Sequence, residues 1–520
     1  RDGVGGSQFA SDALEGEDRS AVQIPDPFIE KLIIEAILEA RDKKCINAMK
    51  DLGGGGLSCA ISETAESLGI GIELDVENVH LRELDLSPDE IMISESQERM
   101  LVITSPKKFP KINKICKKFR IQCSMIGKVK KDKMMHVKKG KKTLALLPAD
   151  FVARGPLIDR QKSIPKYLSN ITSSPKKKIK KSFSNVLAQL LSSPNIASKH
   201  WVFRQYDHEV GIRTVVKPGF DSSVLRLDNG KSLSVKIDGN PKHCYLDPRH
   251  GAIGCFEEAC RNVVCTGAKP IGMVDHLQFG NPEDPEIFWT FMESIEGITD
   301  YAKSMKIPCV GGKVSFYNET SDGPIKPTPL IGVLGLIEKS PLLPSPPIEN
   351  DVIILLGETK DELGGSEYYE YVHNFIGGIV PKVDIPTSKK NMTSVLSLIS
   401  KKLVKNVHDC SKGGLAVALS ELCIFGNVGC NVNLKNVSGM SFEGSLFSES
   451  HSRYILVVKK KNIRSIKELL SKNKCSFSQI GIFSGDQIIF TSTTKPILKL
   501  RVDKAENLYL NSLERIIQNG

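Results

Sequence analysis

The chain has 520 residues, of which 40% are hydrophobic and 25% charged, and a formal net charge of +11. These proportions are those of a soluble globular protein with room for about three domains, and no apolar run reaches the roughly 18 residues of a membrane-spanning helix. The thirteen cysteines include no Cys-x-x-Cys pair, which argues against a zinc site and a disulfide framework and makes a reducing cytoplasm the simplest setting.

Two helices joined through a glycine-rich turn are predicted near the start of the chain. Residues 27–41 carry apolar side chains at helical spacing, and residues 57–68 do so again after Asp51 and four glycines. A glycine-rich turn that opens a helix presents N–H groups and the positive end of the helix dipole, which suits a phosphate or a carboxylate-held metal. The alternative is a tight turn packed for geometry alone.

Short apolar strands are predicted further along the chain. They cover residues 100–104, 330–336, 352–357 and 454–458. The tripeptide at residues 95–97, Glu-Ser-Gln, lies in a loop that leads into the first strand and offers a carboxylate, a hydroxyl and an amide to a polar substrate. Strands and helices in this order predict α+β units rather than a doubly wound sheet.

The positive charge is concentrated in two lysine-rich stretches, residues 107–142 and 176–181. A polyanion-binding patch is one interpretation, and a solvated surface insertion is the favoured one, because no aromatic residues are interleaved to stack on bases. Residues 155–200, rich in Pro and Ser, are predicted to be an interdomain linker.

Three short motifs occur twice in the same order. Residues 5–7, 51–57 and 95–99 return as residues 364–366, 409–415 and 449–453. The first and second motifs are 45 and 44 positions apart in the two copies, and the second and third are 44 and 40 apart. A period of about 355 residues is far too long for a solenoid, so a domain is duplicated.

Four longer motifs lie between the two copies. They are Asp-Pro-Arg-His-Gly-Ala at 247–252, Glu-Glu-Ala-Cys-Arg-Asn at 257–262, Asp-His-Leu-Gln-Phe-Gly-Asn-Pro-Glu at 275–283 and Gly-Gly-Lys-Val-Ser-Phe-Tyr-Asn-Glu at 311–319. Together with the duplicated motifs, they resemble the synthetase subunit of phosphoribosylformylglycinamidine synthase. The resemblance runs from Arg1 to at least Arg453.

The resemblance implies a fold and a domain order. Family members alternate ATP-type and C-terminal-type domains of the aminoimidazole-ribonucleotide-synthetase-like fold, in two tandem copies. The expected segments are a first C-terminal-type domain at 1–150, a linker at 151–205, a second ATP-type domain at 206–342, a second C-terminal-type domain at 343–500 and a C-terminal helix at 501–520. On this expectation the chain is a fragment without its first ATP-type domain.

The resemblance also implies a reaction. In the family, ATP phosphorylates the amide oxygen of formylglycinamide ribonucleotide (FGAR), and ammonia then displaces phosphate to give formylglycinamidine ribonucleotide (FGAM), with Mg²⁺ on the polyphosphate. The expected substrate contacts are Gln23, Glu95, Ser96, Gln97 and Ser315; the ATP contacts are Asp275 and Gly312; and Asp51 is the magnesium ligand. The catalytic histidine of the family lies in the first ATP-type domain, so no catalytic residue is assigned here.

Three positions depart from the family pattern. Lys313 stands where the family has an Asn near a magnesium ion, and an ammonium cannot ligate a cation, although it could contact a phosphate. In the second copy, His451 replaces the expected Gln and Lys412 an expected acidic residue. We therefore expect the second copy not to perform the same chemistry.

The ammonia requires a source outside the chain, because no cysteine lies in the Gly-x-Cys-x-Gly context of a triad glutaminase. A glutaminase subunit and a small bridging subunit are the implied partners. The alternatives are a single-copy synthetase of the same superfamily, against which the duplication argues, and a non-catalytic nucleotide-binding scaffold of the same complex. Nucleic-acid binding through the lysines is the least favoured alternative.

Overall fold

The computed structural model describes residue 3 and residues 22–83, 85–171, 181–339, 341–437 and 440–519. The chain divides into two compact units. Unit 1 comprises residues 1–159 and 319–321, and unit 2 comprises residues 160–318 and 322–520. The Gly5-Gly6-Ser7 motif and all but the last residue of the 176–181 lysine stretch lie outside the described residues.

Unit 1 is an α+β unit with two separate pieces of sheet. Its main elements are α1 (Pro27–Asp42), β1 (Ala48–Asp51), α2 (Gly56–Leu68), β2 (Gly71–Asp75), α3 (Pro88–Ile93), β3 (Met100–Ile103), α4 (Phe109–Lys118), β4 (Gly127–Lys130), β5 (Met134–Lys139), β6 (Lys142–Pro148) and α5 (Ala149–Arg154). Strands β1 and β3 form an antiparallel pair, and the other strands form a sheet in the order β4-β2-β5-β6.

The helices of unit 1 begin where their sequence provides caps. The Asp26 side chain accepts a hydrogen bond from the Ile29 N–H, and Pro27 follows at the first helical position of α1. A reciprocal capping box between Ser87 and Glu90 starts α3. These signals explain why the predicted helix at 27–41 matches α1 to within one residue.

The first half of unit 2 is built on a six-stranded sheet. The chain forms α6 (Phe183–Leu191), α7 (His200–Phe203), β7 (Thr214–Val216), β8 (Ser223–Arg226), β9 (Ser232–Asp238), α8 (Pro241–Leu246), α9 (Pro248–Cys265), β10 (Lys269–Gln278), α10 (Pro285–Met305), β11 (Cys309–Ser315), the short strand β13 (Gly323–Pro324) and β14 (Thr328–Ile337). The short strand β12 (Glu319–Thr320) follows β11 in the chain and belongs to unit 1. The sheet order is β11-β10-β14-β9-β8-β7, and α9 packs against β14 and β9.

The second half of unit 2 has a seven-stranded sheet. Its elements are β15 (Val352–Leu356), α11 (Glu367–His373), α12 (Ile385–Ser400), β16 (Asn406–Asp409), α13 (Gly414–Gly426), β17 (Cys430–Asn433), α14 (Phe442–Phe447), β18 (Tyr454–Val458), α15 (Ile463–Lys472), β19 (Phe477–Phe483), β20 (Gln487–Thr491), β21 (Pro496–Arg501) and α16 (Val502–Asn519). The order is β16-β18-β15-β19-β17-β20-β21.

Strand β15 lies in the middle of this sheet and connects two hydrophobic cores. Its alternate residues Val352, Ile354 and Leu356 pack on one face with helices α9, α12 and α15, and Ile353 and Leu355 pack on the other with α6, α13 and α14. All five side chains are buried, which explains why the sequence shows an unbroken apolar run here rather than an alternating one.

Part of the predicted linker belongs to this core. Residues 183–191 form α6, and Val186, Leu187, Leu190 and Leu191 are buried in it. The surrounding Pro and Ser residues obscured a short amphipathic helix that the apolar spacing itself indicates. No helix among the described residues is both long enough and apolar enough to cross a bilayer.

Candidate functional site

In unit 1, the glycine-rich turn and the Glu-Ser-Gln loop meet through one carboxylate. Glu95 Oε1 accepts a hydrogen bond from the Gly55 N–H at 3.0 Å, and Glu95 Oε2 accepts one from Gln23 Nε2 at 2.8 Å. The Glu95 N–H donates to the Gly3 carbonyl at 2.8 Å. The structure thus brings together Gln23 and Glu95, which are 72 residues apart in sequence and were both predicted to contact substrate.

The glycines of the turn are needed for this close approach. Gly55 and Gly56 have φ values of +72° and +55°, and a Cβ on Gly56 would lie 2.2 Å from the Ser94 carbonyl oxygen. Only glycine adopts such a backbone without strain. Because the Glu95 carboxylate already accepts the Gly55 N–H, the start of α2 holds a protein carboxylate in the manner expected for an anion.

An arginine fixes the backbone of the loop. Arg99 donates from Nε to the Ser96 carbonyl at 2.8 Å and from Nη2 to the Ser94 carbonyl at 2.5 Å. The Gln97 side chain donates to the Glu95 carbonyl at 3.1 Å, and the Ser94 and Ser96 hydroxyls are 3.1 Å apart. We call the two Arg99 contacts the arginine bridge; the sequence analysis quoted Arg99 in a motif but gave it no role.

Asp51 lies at the end of β1, where it pairs in register with Met100, the residue after Arg99. Its side chain is exposed, and its Oδ2 lies beside Gly53, 3.3 Å from where a Cβ would be. Mg²⁺ is commonly held by one or two carboxylates together with waters and substrate phosphates. An exposed carboxylate at the start of a glycine-rich turn fits that role.

The second copy, in unit 2, repeats this backbone arrangement. Glu449 Oε1 accepts hydrogen bonds from the N–H groups of Gly413 and Glu367, both at 2.9 Å. Arg453 donates to the Ser450 and Ser448 carbonyls at 2.9 and 2.6 Å, so the arginine bridge is present again. Glu449 and Glu95 are both 4% exposed, but the rest of the second loop is buried as well, with Ser450 at 2% and Ser452 at 5%, whereas Gln97 of unit 1 is exposed.

Charged side chains of unit 2 fill the space around the second copy. Lys412 donates to Asp238 at 3.0 Å and to Glu258 at 3.4 Å. His451 Nδ1 lies 3.5 Å from Glu257, and a Cβ on Gly254 would be 2.8 Å from the His451 ring. The two departures noted in the sequence, Lys412 and His451, thus contact buried carboxylates of the same unit.

Burial shifts the protonation of this region. It raises the pKa of Glu449 to about 7, with the Glu367 carboxylate acting in the same direction and Lys242 against it. Burial likewise raises the pKa of Asp238 to about 7, and it lowers that of His243 to about 3. Charged forms are disfavoured where water is excluded.

Asp221, His408 and Asp409 bring three potential metal-ligand atoms within 4.8 Å of one another. His408 Nδ1 lies 3.0 Å from Asp221, its Nε2 lies 3.1 Å from Glu421, and Asp221 accepts the Asp409 N–H at 2.8 Å. Although burial opposes it, Asp221 and Glu421 raise the pKa of His408 well above its ordinary value. A protonated His408 occupies these carboxylates, so the cluster is an internal ion-pair network.

The other predicted residues of unit 2 lie on the neighbouring strands β10 and β11, where Asp275 pairs in register with Gly312. A Cβ on Gly312 would be 2.4 Å from Asp275 Oδ1. Burial raises the pKa of Asp275. Ser315 Oγ accepts from Asn318 Nδ2 at 3.2 Å, and Lys313 extends from exposed backbone between Gly312 and Ser315.

The chain matches two family descriptions. Residues 1–139 and 349–491 match the AIR synthase related protein, C-terminal domain, and residues 219–337 match the AIR synthase related protein, N-terminal domain. The phosphoribosylformylglycinamidine synthase subunit PurL of Pyrococcus horikoshii is 43% identical over 99% of this chain and 72% of its own length. That of Methanocaldococcus jannaschii is 42% identical over 99% of this chain and 72% of its own.

The chain belongs to the PurL family. This membership confirms the family predicted from the motifs and the predicted class of enzyme, a ligase of purine biosynthesis. The PurL of Thermotoga maritima, in a structure described as complexed with FGAR, has the same fold, with a TM-score of 0.68, 23% identity, and coverage of 93% of this chain and 70% of that one. The predicted α+β fold is therefore confirmed, whereas the domain boundaries and the roles of individual site residues stay predictions.

Proposed function

We propose that this PurL-family chain takes part in the ATP-dependent conversion of FGAR to FGAM, with Gln23 and the 95–97 loop of unit 1 holding the substrate. ATP transfers its γ-phosphoryl group to the amide oxygen of FGAR, ammonia adds to the activated carbon, and phosphate leaves. One observation carries the assignment to unit 1: Asp51 and Gln97 are exposed there, whereas Asp409 and Ser450 of the corresponding segments of unit 2 are buried.

The geometry suggests distinct roles for the loop residues. Glu95 is held at both carboxylate oxygens, so it fixes the position of Gln23 and of the turn. The arginine bridge fixes the Ser94 and Ser96 carbonyls. The Ser96 hydroxyl, close to the Ser94 hydroxyl, and the exposed Gln97 side chain, held by the Glu95 carbonyl, would contact a polar ligand at defined positions. Such pre-organisation limits the entropy lost when substrate binds.

Magnesium is the expected metal, and Asp51 would hold it. When bound, the ion would neutralise charge on the polyphosphate. Lys313 does not fit a metal-ligand role, because an ammonium has no lone pair to offer. We assign it to phosphate contact as a positive charge next to Asp275 and Gly312, the predicted ATP residues.

Further parts of the proposal concern partners and location. Ammonia would be supplied by a glutaminase subunit, with a small bridging subunit in the same complex. All thirteen cysteines are free, which fits a reducing compartment, and we propose that the chain works in the cytoplasm.

A pair of matched substitutions tests the assignment. Glu95→Gln places an amide N–H₂ opposite either the Gly55 N–H, where two donors face each other, or the Gln23 side chain, which must then rotate to present its oxygen, so the position of Gln23 or of the turn changes. At about 1.5–3 kcal/mol for a hydrogen bond to a charged group, we expect FGAR affinity to fall roughly 10- to 100-fold. Glu449→Gln, the same change in the second copy, should leave FGAR affinity unchanged.

Two assays on the folded chain follow this pair: FGAR binding by titration calorimetry, and FGAR-dependent ADP formation with ammonium chloride as the nitrogen source. Equal effects of the two substitutions would refute the assignment of the substrate to unit 1. A well-folded wild-type chain that binds neither FGAR nor ATP would instead favour a scaffold without a substrate site.

A further inference from the structure

Two cysteines of unit 1 lie on either side of the turn that ends helix α4. Cys116 is in the last turn of the helix, and Cys123 follows it by seven positions, ahead of β4. Arg120 has a φ of +56°, and its N–H donates to the Lys117 carbonyl at 3.2 Å. The Ile121 N–H donates to the Cys116 carbonyl at 2.9 Å. These are the hydrogen bonds of a Schellman motif, which folds the chain back along the end of the helix, so the segment with Cys123 returns past Cys116.

The side chains of the two cysteines meet in one small core. Both pack against Ile112 and Ile115 of α4, together with side chains of α1. Their thiols lie close enough together to interact directly, and this contact is the largest influence on the pKa of each. It lowers the pKa of Cys123 to about 7, against the effect of burial, and it raises the pKa of Cys116. At neutral pH, Cys123 is therefore the thiolate and Cys116 the thiol that donates to it.

The second copy has the same turn with different side chains. There the Cys475 N–H donates to the Leu470 carbonyl at 3.0 Å as the chain leaves α15. Leu470 and Phe477, again seven positions apart, stand at the places of the two cysteines and belong to one hydrophobic core. The turn thus brings these two positions to a common core in each copy, and unit 1 has a pair of thiols there.

Two buried cysteine pairs in unit 2 provide a contrast. Their thiols also interact with each other, but none of the four residues is more than 2% exposed: Cys244 with Cys255, and Cys423 with Cys430. Cys116 and Cys123 are only half-buried. Because a reactive cysteine needs both a thiolate and access to small reagents, the pair beside α4 meets conditions that the buried pairs do not.

We propose that Cys116 and Cys123 form a reversible modification site, which a peroxide oxidises to a disulfide. Cys123 Sγ attacks one oxygen of hydrogen peroxide, the O–O bond breaks and hydroxide leaves, so that Cys123 becomes a sulfenic acid. Cys116 Sγ then attacks Cys123 Sγ, the S–S bond forms as the S–O bond breaks, and the departing hydroxide takes the Cys116 proton to form water. The two sulfurs lose two electrons in total, and the two peroxide oxygens leave as hydroxide and water.

The disulfide closes a ring of eight residues, 116–123, across the end of α4. It constrains the chain between α4 and β4, because the turn can no longer open. In a reducing compartment such a bond is transient and is removed by thiol exchange, as expected for a site that responds to oxidant rather than a permanent cross-link.

The test treats the full 520-residue chain with hydrogen peroxide at neutral pH, blocks the remaining thiols with iodoacetamide and identifies the cysteine peptides by mass spectrometry. We expect Cys116 and Cys123 in cross-linked peptides that lack two hydrogens and that dithiothreitol separates. In Cys116→Ser, the serine hydroxyl can still donate to the thiolate, so the reaction should stop at a Cys123 sulfenic acid, which dimedone traps. Cys45→Ser, in the same core, is the matched control and should leave the cross-link unchanged.

The rates of oxidation test which sulfur reacts first. A pKa of about 7 makes roughly half of Cys123 thiolate at neutral pH, about fiftyfold more than a thiol with a pKa of about 9, and the lower nucleophilicity of that thiolate offsets about tenfold of the difference. We therefore expect Cys116 in Cys123→Ser to react at least about fivefold more slowly than Cys123 in Cys116→Ser.

Three results would overturn the proposal. The first is equal rates in these two variants, and the second is a sulfenic acid that persists at Cys123 in the wild-type chain without a cross-link. The third is a cross-link that joins Cys123 to Cys45, or one that forms only after the chain is unfolded in urea. Circular dichroism of each variant before oxidation verifies that the folded chain is being compared.

Discussion

The protonation of Glu449 makes a quantitative prediction about unit 2. Its pKa of about 7, against the ordinary 4.5, means that the folded state holds a proton that the unfolded chain releases. The stability contributed by the protonated form is fully present below about pH 4.5 and is lost as the pH rises through about 7. At about 1.4 kcal/mol per pH unit, that difference corresponds to roughly 3 kcal/mol.

Glu449→Gln should remove the loss of stability that ionisation of Glu449 causes as the pH rises. Both hydrogen bonds from Gly413 and Glu367 go to Oε1, so a glutamine can accept both with its single carbonyl oxygen and carries no charge to bury. We expect the free energy of unfolding of the variant, relative to wild type, to rise by up to roughly 3 kcal/mol between about pH 5 and pH 8.

The assay is urea unfolding followed by tryptophan fluorescence. Both tryptophans, Trp201 and Trp289, lie in unit 2, so the signal reports on that unit alone. His243 has the opposite effect: because its pKa is lowered in the folded state, stability decreases as the pH falls below the ordinary pKa of a histidine. This effect cancels when the stability of the wild type is subtracted from that of the variant. Parallel stability curves for the two proteins over this range would refute the argument.

Three further substitutions have expected outcomes. Arg261→Met removes the buried guanidinium that contacts Glu257 at 2.5 Å and Asp409 at 3.2 Å. Because both carboxylates lose this positive partner, we expect unit 2 to be destabilised by about 3–5 kcal/mol in the same urea assay. A loss of stability well below about 1 kcal/mol would contradict a structural role. Gly56→Ala forces a Cβ against the Ser94 carbonyl oxygen at a position where φ is positive. We expect this strain to lower the stability of unit 1 by roughly 1–3 kcal/mol, measured by circular dichroism on heating, and to weaken FGAR binding. Lys313→Asn removes the cation proposed to contact phosphate, so ATP affinity should fall roughly fivefold, about 1 kcal/mol for one attractive charge pair in a water-like dielectric; an unchanged ATP affinity would place Lys313 away from the phosphates.

Much of the fold could be predicted from the sequence because its signals are local. The apolar run at 352–357 and the run at 454–458 match β15 and β18, and the caps of α1 are visible as Asp26 and Pro27. The duplicated motifs indicated two loops of the same shape, and the structure gives both an arginine bridge. These features depend on neighbours within a few residues.

What could not be predicted depends on contacts between distant segments. Arg261 stands in a quoted motif, but its partner Asp409 is 148 residues away, so nothing near Arg261 shows that the pair is buried. Asp221 carries no motif, yet it accepts bonds from His408 and Asp409, which are 187 and 188 residues later. Lys412 and His451 were recognised as departures, but only their contacts with Asp238 and Glu257 show how unit 2 accommodates them.

The arginine bridge also affects how sequences of duplicated proteins are compared. Arg99 and Arg453 hold the same two carbonyls in a loop that is open in one copy and covered in the other. A Glu-Ser-x-x-Arg signature therefore identifies the shape of the loop and does not by itself show that a copy binds the substrate. Pattern searches for functional copies would discriminate better at positions 97 and 451, where Gln and His differ, than at the arginine that both copies retain.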